Sequence, residues 1–389
     1  MNSNEYFHIP QLAKRKKKAA RFRLLTLMSL IASVTFLVFF LSDMFFKGYG
    51  AFTQTYVKVP VNINQKTAKF SHLAVDRKEY GFAVSRAWLR GLPNRIKENP
   101  SWMDTQEERW TLANSNVDQY IKGKYNRLKP KQIEKIKQMN RDGKVERRFN
   151  NIFFKKGDSK IPEFSGFMAS ILGTVMTMVI TMLIAVPLGI MTAVYLEEFA
   201  SDNKFTQMIE ININNLAAIP SILFGLLGLA VFINFFGVPR SSPLVGGMTL
   251  ALMSLPVIVV SSKAALKSVP DSIRQAGFAL GLTKWQIVRD HVLPISSPGM
   301  LTGAIIALAQ AMGETAPLIM VGMIAFIPDI STSFMDATTV MPAQIYTWSG
   351  MPERAYVERT AAGILVLLGI LLSLNAIAIY LRKKYTKTW

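Results

Sequence analysis

Hydrophobic positions fall into long runs separated by polar stretches. Leu24 to Leu41 is a run of roughly 18 residues without a charge, just long enough to cross a bilayer as a helix. Further apolar runs are Phe167 to Leu196, Leu216 to Phe236, Leu244 to Val260, Met300 to Phe326 and Ala361 to Leu381. Pro187 predicts a kink in the first of these. Between Leu41 and Phe167 the pattern changes. Thr55 to Ile63 alternates like a strand, and Val145 to Phe154 reads as a closing strand. Val75 to Leu92 and Pro130 to Asn140 read as helices. In the second, Ile133, Ile136 and Met139 recur at helical spacing, Pro130 marks the start and Gly143 lies past the end. Trp88, Trp102 and Trp110 offer this section a small core, and its length suits a modest domain rather than a linker.

A compact unit interrupts the apolar runs from Lys267 to Pro298. Ser268 to Leu280 predicts a short helix, with Pro270 in its first turn and Asp271 and Ser272 suited to a helix start. Gly281 supplies the stop, where left-handed backbone is inexpensive. Thr283 caps a second helix, Lys284 to Val292, which Pro294 is expected to end. The result is a glycine-jointed knob between two spans.

Composition narrows the class. Half of the 389 residues are hydrophobic, high for a soluble chain and ordinary for a membrane protein with a polar section. There is no cysteine, so a disulfide framework, a thiolate metal site and a thiol nucleophile are excluded. The three histidines, His8, His72 and His291, are too scattered for a metal cluster. The net charge of +20 has three candidate causes: nucleic acid, membrane topology or an attracted anion. Its placement discriminates. Lys14, Arg15, Lys16, Lys17, Lys18, Arg21 and Arg23 precede the first run, and Arg382, Lys383 and Lys384 follow the last. With an uncleaved first span and a cytoplasmic N-terminus, basic residues on the inner side outnumber those of the outer short loops by roughly 17 to 3. Six spans then put both termini in the cytoplasm, the knob inside and the polar section outside. The organisation expected is a basic cytoplasmic N-terminus 1–23, a first transmembrane helix 24–42, an extracytoplasmic insert 43–165, a core 166–384 with a cytoplasmic loop 263–298, and a tail 385–389. The insert carries about 25 Lys and Arg against about 13 Asp and Glu. That basic face gathers an anionic substrate, docks a partner, or is a solvated surface beside anionic lipid. A DNA-binding helix-turn-helix shares the knob's outline, but its apolar flanks argue against nucleic acid.

The knob carries a family resemblance. Gln275-Ala276-Gly277, Gly281, Ile287 and Leu293-Pro294 resemble the "EAA" loop of ABC importer permeases, with Gln275 for the usual first Glu and Gly277 for the second Ala. Leu308-Ala309-Gln310-Ala311-Met312-Gly313-Glu314-Thr315-Ala316-Pro317-Leu318 resembles the "GETAP" segment of phosphate importer permeases. Tyr195 to Phe199 and Asn214 to Gly225 resemble the A-type members of that family. Together these cover about 167–381, and the insert resembles an extra domain found in a subset of the family. The resemblance implies an all-α polytopic protein of six transmembrane helices with the type I importer permease fold and a small α/β insert between helices 1 and 2. It implies a bacterial inner-membrane subunit that forms half of a phosphate pathway and couples to ATPase through Gln275, Ala276, Gly277, Gly281, Ile287, Leu293 and Pro294. The implied partners are a second, distinct permease, two ATP-binding subunits, a periplasmic phosphate-binding protein and membrane lipid. The chain has no Gly-x-x-x-x-Gly-Lys-Ser/Thr loop, so ATP hydrolysis by that route falls to a partner, and no cofactor or metal is expected. A permease for another oxyanion and a phosphate-sensing assembly component are the alternatives.

Glu314 falls inside an apolar run, where a carboxylate is costly and marks function or a pair. Gly313 and Pro317 weaken the helix around it. Phosphate near neutral pH carries a proton that Glu314 can accept in a hydrogen bond, whereas sulfate has none; the structural alternative is a cap or an ion pair with another subunit. Thr315 and Gln310 add neutral hydrogen-bonding groups. Many relatives carry Arg where this chain has Gln310, so the cationic ligand need not come from this subunit. Arg240, beside Ser241 and Ser242, either receives phosphate or snorkels at the interface. Ser221, after Pro220, is either a pore hydroxyl or a helix cap. Met176, Met178 and Met182 read as packing.

Overall fold

The computed structural model describes residues 10–385. The sequence expectations for 1–9 and 386–389, the outer parts of the basic N-terminus and of the tail, lie outside the described residues. Five helices are long and apolar enough to cross a membrane, or six if Lys204–Ala217 and Ser221–Phe235, which meet at 104°, make one bent span. The hub is Pro243–Lys267, with 61% of its most apolar stretch buried, whereas none of the corresponding stretch of the N-terminal helix is buried. That N-terminal helix runs Pro10–Gly48 and turns its apolar side chains outward, Phe36 and Phe39 among them. It touches the rest of the membrane part at Gly48, where a side chain would meet the backbone of Ala361 and Ala362 at 2.8 Å.

Small residues set the spacing around the hub. A Cβ on Gly247 would lie 2.5 Å from Ile180, and Gly299 and Gly303 abut Ala265 and Ser261. This close approach is how helices gain packing energy in a medium as apolar as their side chains. Met178, Phe224, Val245, Leu250, Met312 and Leu318 form the central apolar cluster.

The insert is built on a three-stranded antiparallel sheet in the order β2-β1-β3, with β1 Thr53–Ile63, β2 Thr105–Leu112 and β3 Val145–Phe149. Alternation in β1 turns Val57, Val59, Val61 and Ile63 into one core with Trp88, Leu92, Ile96, Val117, Ile136 and Met139. The Pro130–Arg141 helix matches expectation. A second aromatic cluster, Phe153, Phe167, Trp348 and Tyr356, seats the insert on the membrane part. Trp348 there donates to Asp158 at 2.9 Å.

Several sequence expectations need correction. Val75 to Leu92 is not one helix. Asp76 accepts from the Lys78 amide at 2.8 Å, a local turn that competes with helix, and the chain becomes helical only at Arg86–Arg90 after the Ser85 cap. The strand from Val145 stops at Phe149, and the Asn150 side chain caps a helix over Asn151–Lys155. Trp110 is outside the insert core; Arg148 covers its ring at 5.0 Å. The third apolar run starts with a separate helix, Lys204–Ala217, and the chain turns at Pro220. The first knob helix is Asp271–Ala279, with Pro270 extended just before it. Pro294 ends nothing. A π-turn at Val288–Val292 widens the backbone, so the proline's missing N–H falls in the first turn of Leu293–Gly313 and the helix runs on. The run from Met300 breaks at Gly313 rather than at Phe326.

Candidate functional site

The knob is held shut by its own chemistry. Gly281 has φ +77°, a conformation that costs an L-residue about 1–2 kcal/mol. Thr283 and Gln286 form a reciprocal capping box, with the Thr283 amide donating to Gln286 Oε1 at 2.8 Å. Gly277 is buried because the two short helices touch there: a Cβ would lie 2.6 Å from Ile287. The resemblance residues Gly277, Gly281 and Ile287 are therefore one elbow. Leu293 packs beside it, while Gln275, Ala276 and Pro294 face outward.

Sequence reasoning missed the residue that fastens this elbow. Arg274 donates to Val269 O at 2.8 Å and Leu266 O at 3.1 Å, closing the end of the hub helix. Its guanidinium also grips Glu198, which is 5% exposed, through Nη2 to Oε1 at 2.6 Å and Nε to Oε2 at 3.3 Å. The hydrogen bond to Glu198 raises the Arg274 pKa further, so its charge is permanent. Glu198 lies on the π-turn Tyr195–Phe199 that ends Met168–Val194. One arginine thus ties the knob to two spanning helices. Lys263 adds a second tie, pairing with Glu210 and lying 3.8 Å from Glu197. The only signal in the sequence was the Glu197-Glu198 pair. On the free side, Phe278, Leu280 and Trp285 are 54, 80 and 54% exposed, an apolar end without cover.

The second group of candidates lies at the break after Gly313. Glu314 terminates the Leu293–Gly313 helix instead of sitting inside a span, and is half-buried with Thr315. Thr315 starts the short helix Ala316–Met320 without a side-chain cap. Gly225 abuts Pro317 and Gly228 abuts Val321, so Ser221–Gly228 runs parallel to this segment. Ser221 and Glu314 therefore occupy the same end of the pair, with exposed Gln310 one turn before Glu314. Arg240 is at the opposite end, beside Gly322. Its two neighbours are not free to bind an anion as expected: Ser241 donates to Gly322 O at 2.6 Å and Ser242 to Pro239 O at 2.7 Å. Among the described residues no group of His, Cys, Asp or Glu is arranged to hold a metal.

A polytopic helical bundle with an externally apolar elbow tied to two spans is the build of a membrane permease subunit. Residues 185–387, just over half of the chain, match the family described as binding-protein-dependent transport system inner membrane component. The chain belongs to that family, and is its multi-pass inner-membrane type of subunit. Residues 10–80 match a domain of unknown function, DUF3333. The chain is 34% identical over 215 residues to the phosphate transport system permease protein PstA of Mycobacterium leprae (strain TN), covering 55% of this chain and 69% of that one. It is 32% identical over 246 residues to the phosphate transport system permease protein PstC of Mesorhizobium japonicum, covering 57% and 74%. Among solved structures, the MetNI methionine ABC transporter in an inward-facing conformation aligns with TM-score 0.45 and 19% identity, covering 56% of this chain and 94% of that one.

Proposed function

We infer that this chain is the membrane-spanning permease subunit of an ATP-driven phosphate importer. It supplies half of the translocation pathway and takes its motion from a separate ATPase. The observation that carries the coupling role is the Arg274 clasp, which makes the elbow and two spans move as one lever. The similarity to PstA supports phosphate as the substrate. The similarity to PstC supports a second, distinct permease as the partner that completes the pathway. Two ATP-binding subunits and a periplasmic phosphate-binding protein complete the assembly. Phe278, Leu280 and Trp285 are the side chains that enter a groove of the ATPase. Closure of the ATPases pushes the elbow, and the bundle alternates access to the two sides. The excess of Lys and Arg before the first span and after the last supports cytoplasmic termini. Reconstitution tests this reading. Proteoliposomes holding this chain, the second permease, the ATPase and the binding protein are expected to accumulate radiolabelled phosphate only with ATP inside the coupled compartment. ATP-dependent uptake of sulfate or molybdate in place of phosphate would sink the substrate assignment.

A further inference from the structure

Where the insert meets the start of the last spanning helix there is a cleft of about 280 Å³, close to the lower end of small-molecule sites at about 300 Å³. Four cations from separate segments line it: Arg86, Arg127, Lys160 and Arg354. All are exposed, and none is ion-paired. Arg354 leans over the Tyr125 ring at 5.4 Å, and Lys160 lies 5.9 Å from the Phe326 ring. Two of the acidic groups nearby, Asp118 and Glu358, are committed elsewhere. Beneath the cleft, Lys122 takes Asp118 at 2.6 Å and Glu358 at 3.2 Å. Glu163, a wall of the cleft, is 4% exposed, and its Oε1 has no hydrogen-bond partner. Burial pushes its carboxyl above the usual carboxylate range. Glu353 is the one remaining carboxylate of the lining. Unpaired like charges around one concavity repel each other unless an anion sits among them.

We propose that this cleft binds a phosphate group, supplied by free orthophosphate or by a membrane lipid headgroup. Three guanidinium forks and an ammonium, from separate segments of the chain, line the cleft. That array of donors fits the four oxygens of a tetrahedral oxyanion better than the two of a carboxylate. Arg354 immediately precedes the spanning helix Ala355–Tyr385, which brings a headgroup within reach. The cleft is separate from the Glu314 and Ser221 region, and its occupancy does not depend on transport.

The test is binding to the purified full-length chain in detergent, without ATPase. Equilibrium dialysis with radiolabelled orthophosphate and calorimetric titration with short-chain phosphatidylglycerol distinguish the sources. Saturable orthophosphate binding that weakens at least tenfold in the Arg127→Gln/Lys160→Gln variant supports the proposal with free phosphate as ligand. The same loss seen only with the lipid supports the headgroup. Arg127→Lys, which keeps charge but not the fork, is expected to fall between the parent and the double variant, and unchanged thermal melting of all variants confirms that they fold. Binding of neither probe, binding indifferent to the variants, or displacement of orthophosphate by acetate as effectively as by unlabelled phosphate overturns it. Loss of uptake in the reconstituted importer would bear on the transport reading and leaves this measurement unaffected.

Discussion

Arg274 and Glu198 meet in a two-point ion pair, 2.6 and 3.3 Å between nitrogen and oxygen, that joins the elbow to the end of the Met168–Val194 helix. The pair is shielded, with side-chain exposures of 18% and 5%. Removing one partner of such a pair leaves a charge without compensation, at a cost of about 3 kcal/mol or more. Arg274→Ala is therefore expected to let the elbow move without the spans. ATP hydrolysis by the assembled complex should persist while phosphate uptake per ATP falls at least tenfold. Arg274→Lys should fall between, since an ammonium cannot reproduce the fork. Uptake per ATP equal to that of the parent in Arg274→Ala would refute the lever.

Gly281 gives a cleaner perturbation, because no atom lies within 4 Å of where its side chain would be. Any effect of Gly281→Ala then comes from the backbone at φ +77°, at about 1 kcal/mol. Gly281→Asn, which tolerates this region, should behave nearly as the parent. Gly281→Pro fixes φ near −65° and should abolish coupling. Uptake rates ranked Gly, Asn, Ala, Pro are the expected result; a flat series would mean that the elbow's geometry is irrelevant.

The membrane runs and the elbow were readable because each rests on local chemistry: uncharged length, a left-handed stop at Gly281, a Thr283 cap. What escaped reading is non-local or masked. Arg274 and Glu198 are 76 residues apart, so no window reveals their pairing. β2 reads Thr-Gln-Glu-Glu-Arg-Trp-Thr-Leu, and its polar, largely exposed first half hides the strand that β1 recruits. The break after Gly313 is embedded in apolar sequence, so composition carried the expected span through it to Phe326. Pro294 misled for the opposite reason: a π-turn absorbed a residue that ordinarily stops a helix. In the second group, the break at Pro220 and the close approach of Gly225 to Pro317 bring Ser221 and Glu314 to one end of a helix pair. Arg240 lies at the other end, a separation that spacing along the chain does not show.

We propose that Glu314, which ends the helix Leu293–Gly313, accepts a hydrogen bond from the proton that phosphate carries. Glu314→Gln removes the charge that strengthens that bond, a change of about 1.5 kcal/mol, roughly tenfold. The expected result is a phosphate KM about tenfold higher, with discrimination against sulfate reduced by a similar factor. Assembly with the partner subunits should be intact. Unchanged KM and selectivity would leave Glu314 as a helix terminator only.

Glu163 makes stability depend on pH in a direction opposite to that of a salt-bridged acid. Desolvation by burial raises its pKa from 4.5, more than the opposing hydrogen bonds from the backbone and Ser85 and the charge of Arg359 lower it, and Glu353 pushes the same way as burial. Asp118, Lys122 and Glu358 are the other charged groups lining the small void it shares with Arg359. Since the folded value exceeds the unfolded one, the folded state binds the proton more tightly. This contribution to stability is full below pH 4.5 and is lost as pH rises through the folded value. Glu163→Gln keeps the shape and removes the titration. Its melting temperature minus that of the parent should grow as pH is raised above 4.5 and then level off once the parent's carboxyl has ionised. A difference that shrinks with rising pH would show that ionised Glu163 is stabilised by its cationic neighbours, and that burial is not the dominant influence on it.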